Sequence, residues 1–498
     1  MSAKKAAKKA PAKKAAAKKS PAKKAAAKKA GQVRQASEAE GTGEKVSSAI
    51  EASASRSVIV IPPASFVPVA TAARRMGVAG TSAATSAPAT LKGLLASRRR
   101  TLEDFVSQVM QSARGIALAQ PAATSAAIAR TAGASAAGTR KASAPKILAS
   151  LGAVVMDRST VDVEALAAST GARVLENIRI PLGAPMRRRR AAAAGRLPEG
   201  NAGIWHLSHI NIDSARSQGL RGKGVRIGVL DTGIDASHPE FAGKKVAFAK
   251  FDMEGNKVGS TAEDTGTHGT HVSGIAAGKK VGVAPAADLS VAAVLTYLDE
   301  NGNNFGYLAQ ISAGLDWLLG EPFDGPTVAP GVDVLNASLG GSGYDDYLYD
   351  ALGNARATTG TVLAAAIGNA GPAENQHGSP GNYDIVVAAG AVDSNDGVAD
   401  FSDWGTVEEH EDLPKPDLSA PGKGVWSAVP GGGYEQMDGT SMASPVVAGA
   451  IALLLEKHPT LDLNAPGLLS LLYDLVRPLR GASNKKRGGR GSLDLTGI

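Results

Sequence analysis

The chain has 498 residues, 43% of them apolar, with no cysteine and a formal net charge of +8. That length exceeds one ordinary domain, so one large domain with smaller or unfolded pieces is expected, and disulfide scaffolds, zinc-cysteine sites and thiol nucleophiles are excluded. The net charge hides an asymmetry: residues 1–200 carry 34 Lys and Arg against 11 Asp and Glu, a net +23, whereas residues 201–498 carry 20 against 35, a net −15.

Residues 1–30 hold twelve lysines, in doublets five residues apart, and no acid. Such a segment cannot bury enough apolar surface to offset chain entropy, so residues 1–40 are expected to form a disordered Lys/Ala/Pro-rich tail. Five residues advance a helix by about 500°, which scatters the lysines over all faces and disfavours an amphipathic membrane helix. The tail resembles those of linker histones. Its expected partner is nucleic acid or another polyanion, bound without sequence preference; the alternative is a solubilising tail. No apolar stretch follows the N-terminal charge and no later run reads as a membrane span, so a cytoplasmic protein is expected, with secretion by an unrecognised route as the alternative.

Residues 41–147, rich in Ala, Ser, Thr and Gly, read as a low-complexity linker with one helix near 101–118, capped by Thr101 and patterned by Leu102, Phe105, Val106, Val109 and Met110. Residues 148–180 tighten into strand, helix and strand: LASLGAVVMD, VDVEALAAST and ARVLENIRI. An Arg/Ala-rich connector over 181–202, with Arg187 to Arg190 in a run, reads as solvated and flexible. From 203 to 480 the texture is a single large domain. VRIGVLD, DLSVAAVL, VDVLNAS, TVLAAAI and DIVVAAGAV are continuous apolar runs, as in strands covered on both faces, and helices are expected near 307–319, 345–358, 446–457 and 466–476. This alternation predicts an α/β fold, a three-layer mostly parallel sheet with ligands at the carboxyl ends of its strands. Residues 481–498 read as a basic C-terminal tail.

Three segments carry chemistry. VRIGVLDTGID ends a buried strand on Asp231, placed to orient an imidazole; an acid there alone also suits a turn or cap. DTGTHGTHVSGIAAG sets His268 between Gly266 and Gly269, which leave an imidazole uncluttered; His268 and His271 could share a helix face as metal ligands, but no third ligand keeps recognisable spacing. DGTSMASPVVAGAIALLLEKH puts Ser441 at the opening of a long apolar helix, with Pro445 expected in its first turn. Backbone N–H groups there favour an oxyanion, although an ordinary N-cap serine would look the same.

In that order, VLDTGID, HGTHVSG and GTSMASP resemble the signature blocks of the subtilisin-like serine peptidases. AAAIGNAG resembles the segment bearing the family's oxyanion-hole asparagine, here Asn369, with Ala366, Ile367 and Gly368 beside the substrate. NASLGG resembles the strand that pairs with extended substrate, bringing in Ser338, Leu339 and Gly340. The resemblance implies a serine endopeptidase acting on proteins or peptides through Asp231, His268 and Ser441. A scaffold or polyanion-binding protein using this domain as a binding module is the alternative.

Two departures matter. Family members commonly carry a calcium-binding insertion after the histidine helix, whereas AAGKKVGVAPAADL runs directly on, so that calcium site is expected to be missing, with a weaker one elsewhere as the alternative; no other metal or cofactor is expected. GSPGNYD resembles the floor of the first specificity pocket with Gly378 in place of a charged residue, which implies a roomy apolar pocket for large apolar or aromatic side chains. The 148–180 block resembles the end of a family prosegment. It implies a self-inhibited precursor, cut between 181 and 202, whose own prosegment is a partner drawn to the acidic domain by charge; an accessory fold with no inhibitory role is the alternative.

Overall fold

The computed structural model describes residues 56–63, 86–119, 142–183, 188–189, 196–198, 204–320, 331–461 and 466–498, all within one compact unit, Ser53–Ile498. The Lys-rich segment 1–30 lies outside the described residues.

Upstream of residue 177 the chain builds a small α/β block. β1 (Ser57–Ile61), α1 (Ser86–Ala119), β2 (Lys146–Leu148), β3 (Ala153–Asp157), α2 (Val163–Thr170) and β4 (Arg173–Glu176) give an antiparallel sheet of order β2-β3-β1-β4. α2 is bounded as its sequence dictates: Asp162 accepts from the Ala165 N–H at 3.0 Å, and Gly171 at φ 71° ends it. α1 begins fifteen residues before Thr101, so Thr101 is no cap; its hydroxyl donates to the Ser97 carbonyl inside the helix. The apolar spacing was the sound part of that reading, for Leu102, Phe105 and Val109 are buried.

β1 is apolar at every position except its first, and its alternate residues enter different cores. Val58 and Val60 join Leu102, Phe105, Val154, Met156 and Leu166 under the block's own helices. Ile59 and Ile61, with Leu148, Leu151 and Val155, pack instead into a core shared with the large domain. Polar contacts tie down the same boundary. The Ser150 N–H donates to Asp316 Oδ1 at 2.7 Å, and buried Arg98 donates to the Ser150 carbonyl at 3.3 Å and Thr358 Oγ1 at 2.5 Å. Arg173 pairs with both Asp346 and Asp350.

Leaving the block, β5 (Arg179–Pro181) and β6 (Arg188–Arg189) precede the large domain. Its sheet takes in β7 (Arg226–Asp231), β8 (Val246–Phe251), β9 (Lys257–Gly259) and β10 (Asp288–Ala293). After β11 (Asn304–Tyr307), which lies outside that sheet, follow β12 (Val334–Ala337), β13 (Val362–Ala366), β14 (Val387–Val392) and β15 (Leu418–Pro421). A hairpin of β16 (Lys423–Val429) and β17 (Gly433–Asp438) stands apart, and β18 (Val476–Arg477) and β19 (Ser492–Leu493) complete the main edge. The ten-stranded order is β18-β19-β15-β14-β13-β12-β7-β10-β8-β9, parallel except at its two outermost pairings. The chain leaves β7 for one side and returns to its other side at β12, so the carboxyl end of β7, which is Asp231, lies at the switch point.

Helices cover both faces. α3 (His268–Ala277) and α6 (Thr440–Lys457) bury Val272, Ile275, Val446 and Ile451 against Ile227, Val229, Leu289 and Val291. On the opposite face α4 (Leu308–Gly320) and α5 (Tyr349–Thr359) bury Leu308, Ile311, Leu315 and Leu352 against Leu230, Ala292, Leu335 and Leu363. α6 is long and apolar enough by composition to cross a membrane, but 89% of it is buried inside the domain, as befits a core helix. Residues 482–498 correct a further expectation. In place of a tail they supply a helix, the strand β19 between β18 and β15, and buried Arg487, which donates to the Ala399 carbonyl at 2.8 Å.

Candidate active site

Asp231, His268, Ser441 and Asn369 come from four elements: the end of β7, the first residue of α3, the first turn of α6 and the loop after β13. Asp231 and His268 are fully buried and Ser441 is 3% exposed. His268 Nδ1 lies 2.8 Å from Asp231 Oδ1 and 2.9 Å from Oδ2, so Nδ1 carries the proton that it donates to the carboxylate. That tautomer leaves Nε2 as the acceptor, and Nε2 has no hydrogen-bond partner among the described residues. The approach of strand end to helix requires a glycine, for a Cβ on Gly269 would fall 2.1 Å from the Gly233 carbonyl.

Asp264 holds this corner together, and the sequence reading assigned it nothing. Its Oδ1 accepts from Thr232 Oγ1 at 2.6 Å and the Gly266 N–H at 3.0 Å, and its Oδ2 from the Thr270 N–H at 2.9 Å and Thr270 Oγ1 at 2.6 Å. One carboxylate thus fixes the residue after Asp231 and both flanks of His268. The legible signal was an acid four positions before the histidine. His271 is engaged by the backbone: Nε2 lies 3.1 Å from the Glu435 carbonyl, and burial pushes its pKa down to about 3; no group of residues that could hold a metal ion occurs among the described residues.

At the serine, Pro445 lies inside α6, beyond the first turn. Lacking an N–H, it cannot bond the carbonyl four residues back, which is that of Ser441. That carbonyl accepts instead from Ser338 Oγ at 2.9 Å; Ser338 Oγ accepts from Asn336 Nδ2 at 3.0 Å, and Asn336 Oδ1 accepts from Ser444 Oγ at 2.7 Å. A proline and a buried polar chain together seat the first turn of α6 on β12. Ser441 Oγ donates to the Ser338 carbonyl at 3.4 Å. Asn369 is oriented by Thr440, whose N–H and Oγ1 lie 2.8 and 3.0 Å from Asn369 Oδ1, leaving Nδ2 for the cleft.

Ser338, Leu339, Gly340, Ala366, Ile367, Gly368, Asn369, Gly378 and Ser441 border a single cleft of about 380 Å³. Two further sets of residues border it. Leu182 and Gly183 belong to the chain's own connector: β5 pairs antiparallel with β11, Leu182 N–H donates to the Asn304 carbonyl at 3.1 Å, and Gly340 N–H donates to the Pro181 carbonyl at 3.3 Å. A Cβ on Gly183 would lie 4.0 Å from Asn369 Nδ2. Past the cleft, β6 pairs with β17. The other addition is Asp403, which borders the same cleft as the Gly378 from which a roomy apolar first pocket was expected. The sequence reading took its inference from Gly378 alone and passed over FSDWG.

A model of the subtilase family matches residues 222–473. Subtilisin DY of Bacillus licheniformis is 39% identical over 260 residues, 51% of this chain and 84% of that protein. PopC, a subtilisin-like protease of Myxococcus xanthus (strain DK1622), is 36% identical over 300 residues, 55% of this chain and 60% of that protein. An intracellular serine protease of Paenibacillus polymyxa is 34% identical over 289 residues, 56% and 81% of the two chains. With half the chain matched and the parallel sheet running through that match, the protein belongs to the subtilase family and is a serine-type peptidase.

Proposed function

We propose that Asp231, His268 and Ser441 are the catalytic triad of an endopeptidase made as a self-inhibited precursor, with Asn369 as its oxyanion-hole side chain. The observation that carries this reading is the pairing of buried His268 with Asp231, together with Ser441 and Asn369 on one cleft that an extended piece of the same chain also borders. For reaction, Ser441 Oγ turns from the Ser338 carbonyl to His268 Nε2, gives up its proton there and attacks the scissile carbonyl. The new oxyanion is held by Asn369 Nδ2 and the Ser441 N–H, which has no intrahelical acceptor in the first turn of α6. His268 then returns the proton to the leaving amine while Asp231 stabilises the imidazolium; water completes the cycle by the same steps.

The precursor reading rests on residues 177–183. They run as an added strand on β11, which is how extended peptides gain backbone hydrogen bonds, and bring Leu182 and Gly183 to the cleft. The cut belongs between 181 and 202, and the nearness of Gly183 to Asn369 singles out the bond that follows it. Wild type and Ser441→Ala are compared by intact mass, N-terminal sequencing and peptide hydrolysis. The expected result is a shortened wild type beginning at Ala184 and a full-length, inactive Ser441→Ala chain, with a loss of about 10⁴-fold or more. An active Ser441→Ala protein refutes the triad, and a wild type that is full length and active refutes the precursor.

A further inference from the structure

The loop bearing Asn369 is stitched to residues 401–404. The Phe401 carbonyl accepts from the Gly371 N–H at 3.0 Å, and Trp404 Nε1 donates to the Pro372 carbonyl at 2.8 Å. Between them, the Asp403 N–H donates to the Gly368 carbonyl at 3.1 Å, and Asp403 Oδ1 accepts from the Ala370 N–H at 2.6 Å. These last two bonds fall on the residues immediately before and after Asn369.

Asp403 is 1% exposed and has no ion-pair partner among the described residues. Burial raises its pKa to about 6, with the Ala370 and Gly371 amides opposing that shift. Its other oxygen packs on the loop itself, for Gly368 sits at φ 125° and a Cβ there would fall 2.0 Å from Asp403 Oδ2. Burying a carboxyl without a cation is costly, and the loop amides it accepts from offset part of that cost. The Oδ1 of Asn369 is already fixed by Thr440, so the aim of Nδ2 depends on the backbone that carries it.

We propose that Asp403 is a positioning residue for the oxyanion hole: by gripping the backbone on both sides of Asn369, it holds Nδ2 at the place where negative charge develops. This rests on the reading of Asn369 given above. A donor that stabilises only the transition state contributes to kcat and little to KM, and a residue acting through that donor loses its effect once the donor is gone.

The experiment is a double-mutant cycle on the mature enzyme with a peptide substrate, thermal unfolding being followed for each variant. Asn369→Ala is expected to cost about 10²- to 10³-fold in kcat, a range taken from the equivalent donor in a subtilisin. Asp403→Ala is expected to lower kcat about tenfold with KM within about twofold, and to cost less than about twofold in the Asn369→Ala background. Asp403→Asn, which keeps an oxygen for the Ala370 amide, should recover most of the loss. Should Asp403→Ala not fold, Asp403→Ser, too short to reach that amide, takes its place in the cycle. Equal losses in both backgrounds, a loss confined to KM, or unchanged activity overturns the Asp403 inference and leaves Asn369 standing. Full activity in Asn369→Ala alone overturns both.

Discussion

The upstream block and the large domain each place helices on a sheet, but they close their cores differently. In the large domain both faces of the sheet are covered by its own helices, α3 and α6 on one and α4 and α5 on the other. The block covers only one face for itself; the face bearing Ile59, Ile61, Leu151 and Val155 is completed by the large domain. Self-sufficiency therefore belongs to the part with the chemistry. The block, with a small core of its own, draws the burial of one sheet face from its neighbour, so its stability and its hold on the large domain are coupled.

That contrast can be broken most sharply at Ile59. Ile59→Asp puts a carboxylate into the shared core, and in the Ser441→Ala background it should open the block to limited proteolysis while residues 204–498 stay resistant. Loss of both parts in one transition would show that they are a single folding unit. The milder Ile59→Ala should cost about 2–4 kcal/mol, read from the thermal midpoint of the block alone.

Acid should separate the two parts from the other direction, because all eight histidines lie at or after position 206. His206 is fully buried, with Nε2 2.8 Å from the Val281 carbonyl, and burial pushes its pKa from the ordinary 6.5 down to about 4. Below pH 6.5 the unfolded chain binds this proton and the folded chain does not. The stabilisation is therefore complete above 6.5 and is lost as pH falls towards 4, by about 3 kcal/mol at most. His206→Gln, which can still donate to Val281, should flatten that slope in denaturant titrations of Ser441→Ala; an unchanged slope would assign the acid sensitivity elsewhere. The smallest effect is expected at Arg173, a third exposed and paired with two exposed aspartates. Arg173→Ala should weaken the hold of the block by under about 1 kcal/mol, and the difference should vanish in high salt.

Much of the large domain could be read from sequence because its information is local. Continuous apolar runs mark strands buried on both faces, and VLDTGID, HGTHVSG and GTSMASP carry turn glycines and functional side chains within a few residues of each other. What escaped depends on distant partners. SVIVI at 57–61 is a central strand whose neighbours lie about a hundred residues away, inside a segment whose Ala and Ser content resembles linker. The start of α1 at Ser86 has Pro88 in its first turn, a start signal that the surrounding Ala and Ser obscured. Asp264 and Asp403 are ordinary acids in sequence, and only folding shows that their oxygens converge on the backbone around His268 and Asn369. The C-terminal residues read as a tail because their lysines and arginines outweighed SLDL, which becomes a strand only beside β15.

The face that the block cannot close alone also bears on its use outside this chain. Asn177 Oδ1 accepts from the Ala309 N–H at 2.8 Å and the Ile178 carbonyl from the Leu308 N–H at 2.9 Å, so the same piece also caps α4 at the point where the connector enters the cleft. Fit is thus set by the outer surfaces of α4 and α5 as well as by the cleft. The block is not portable: grafted onto a catalytic domain with different residues on those two helices, it would keep a strand to offer but lose the wall against which that strand is held.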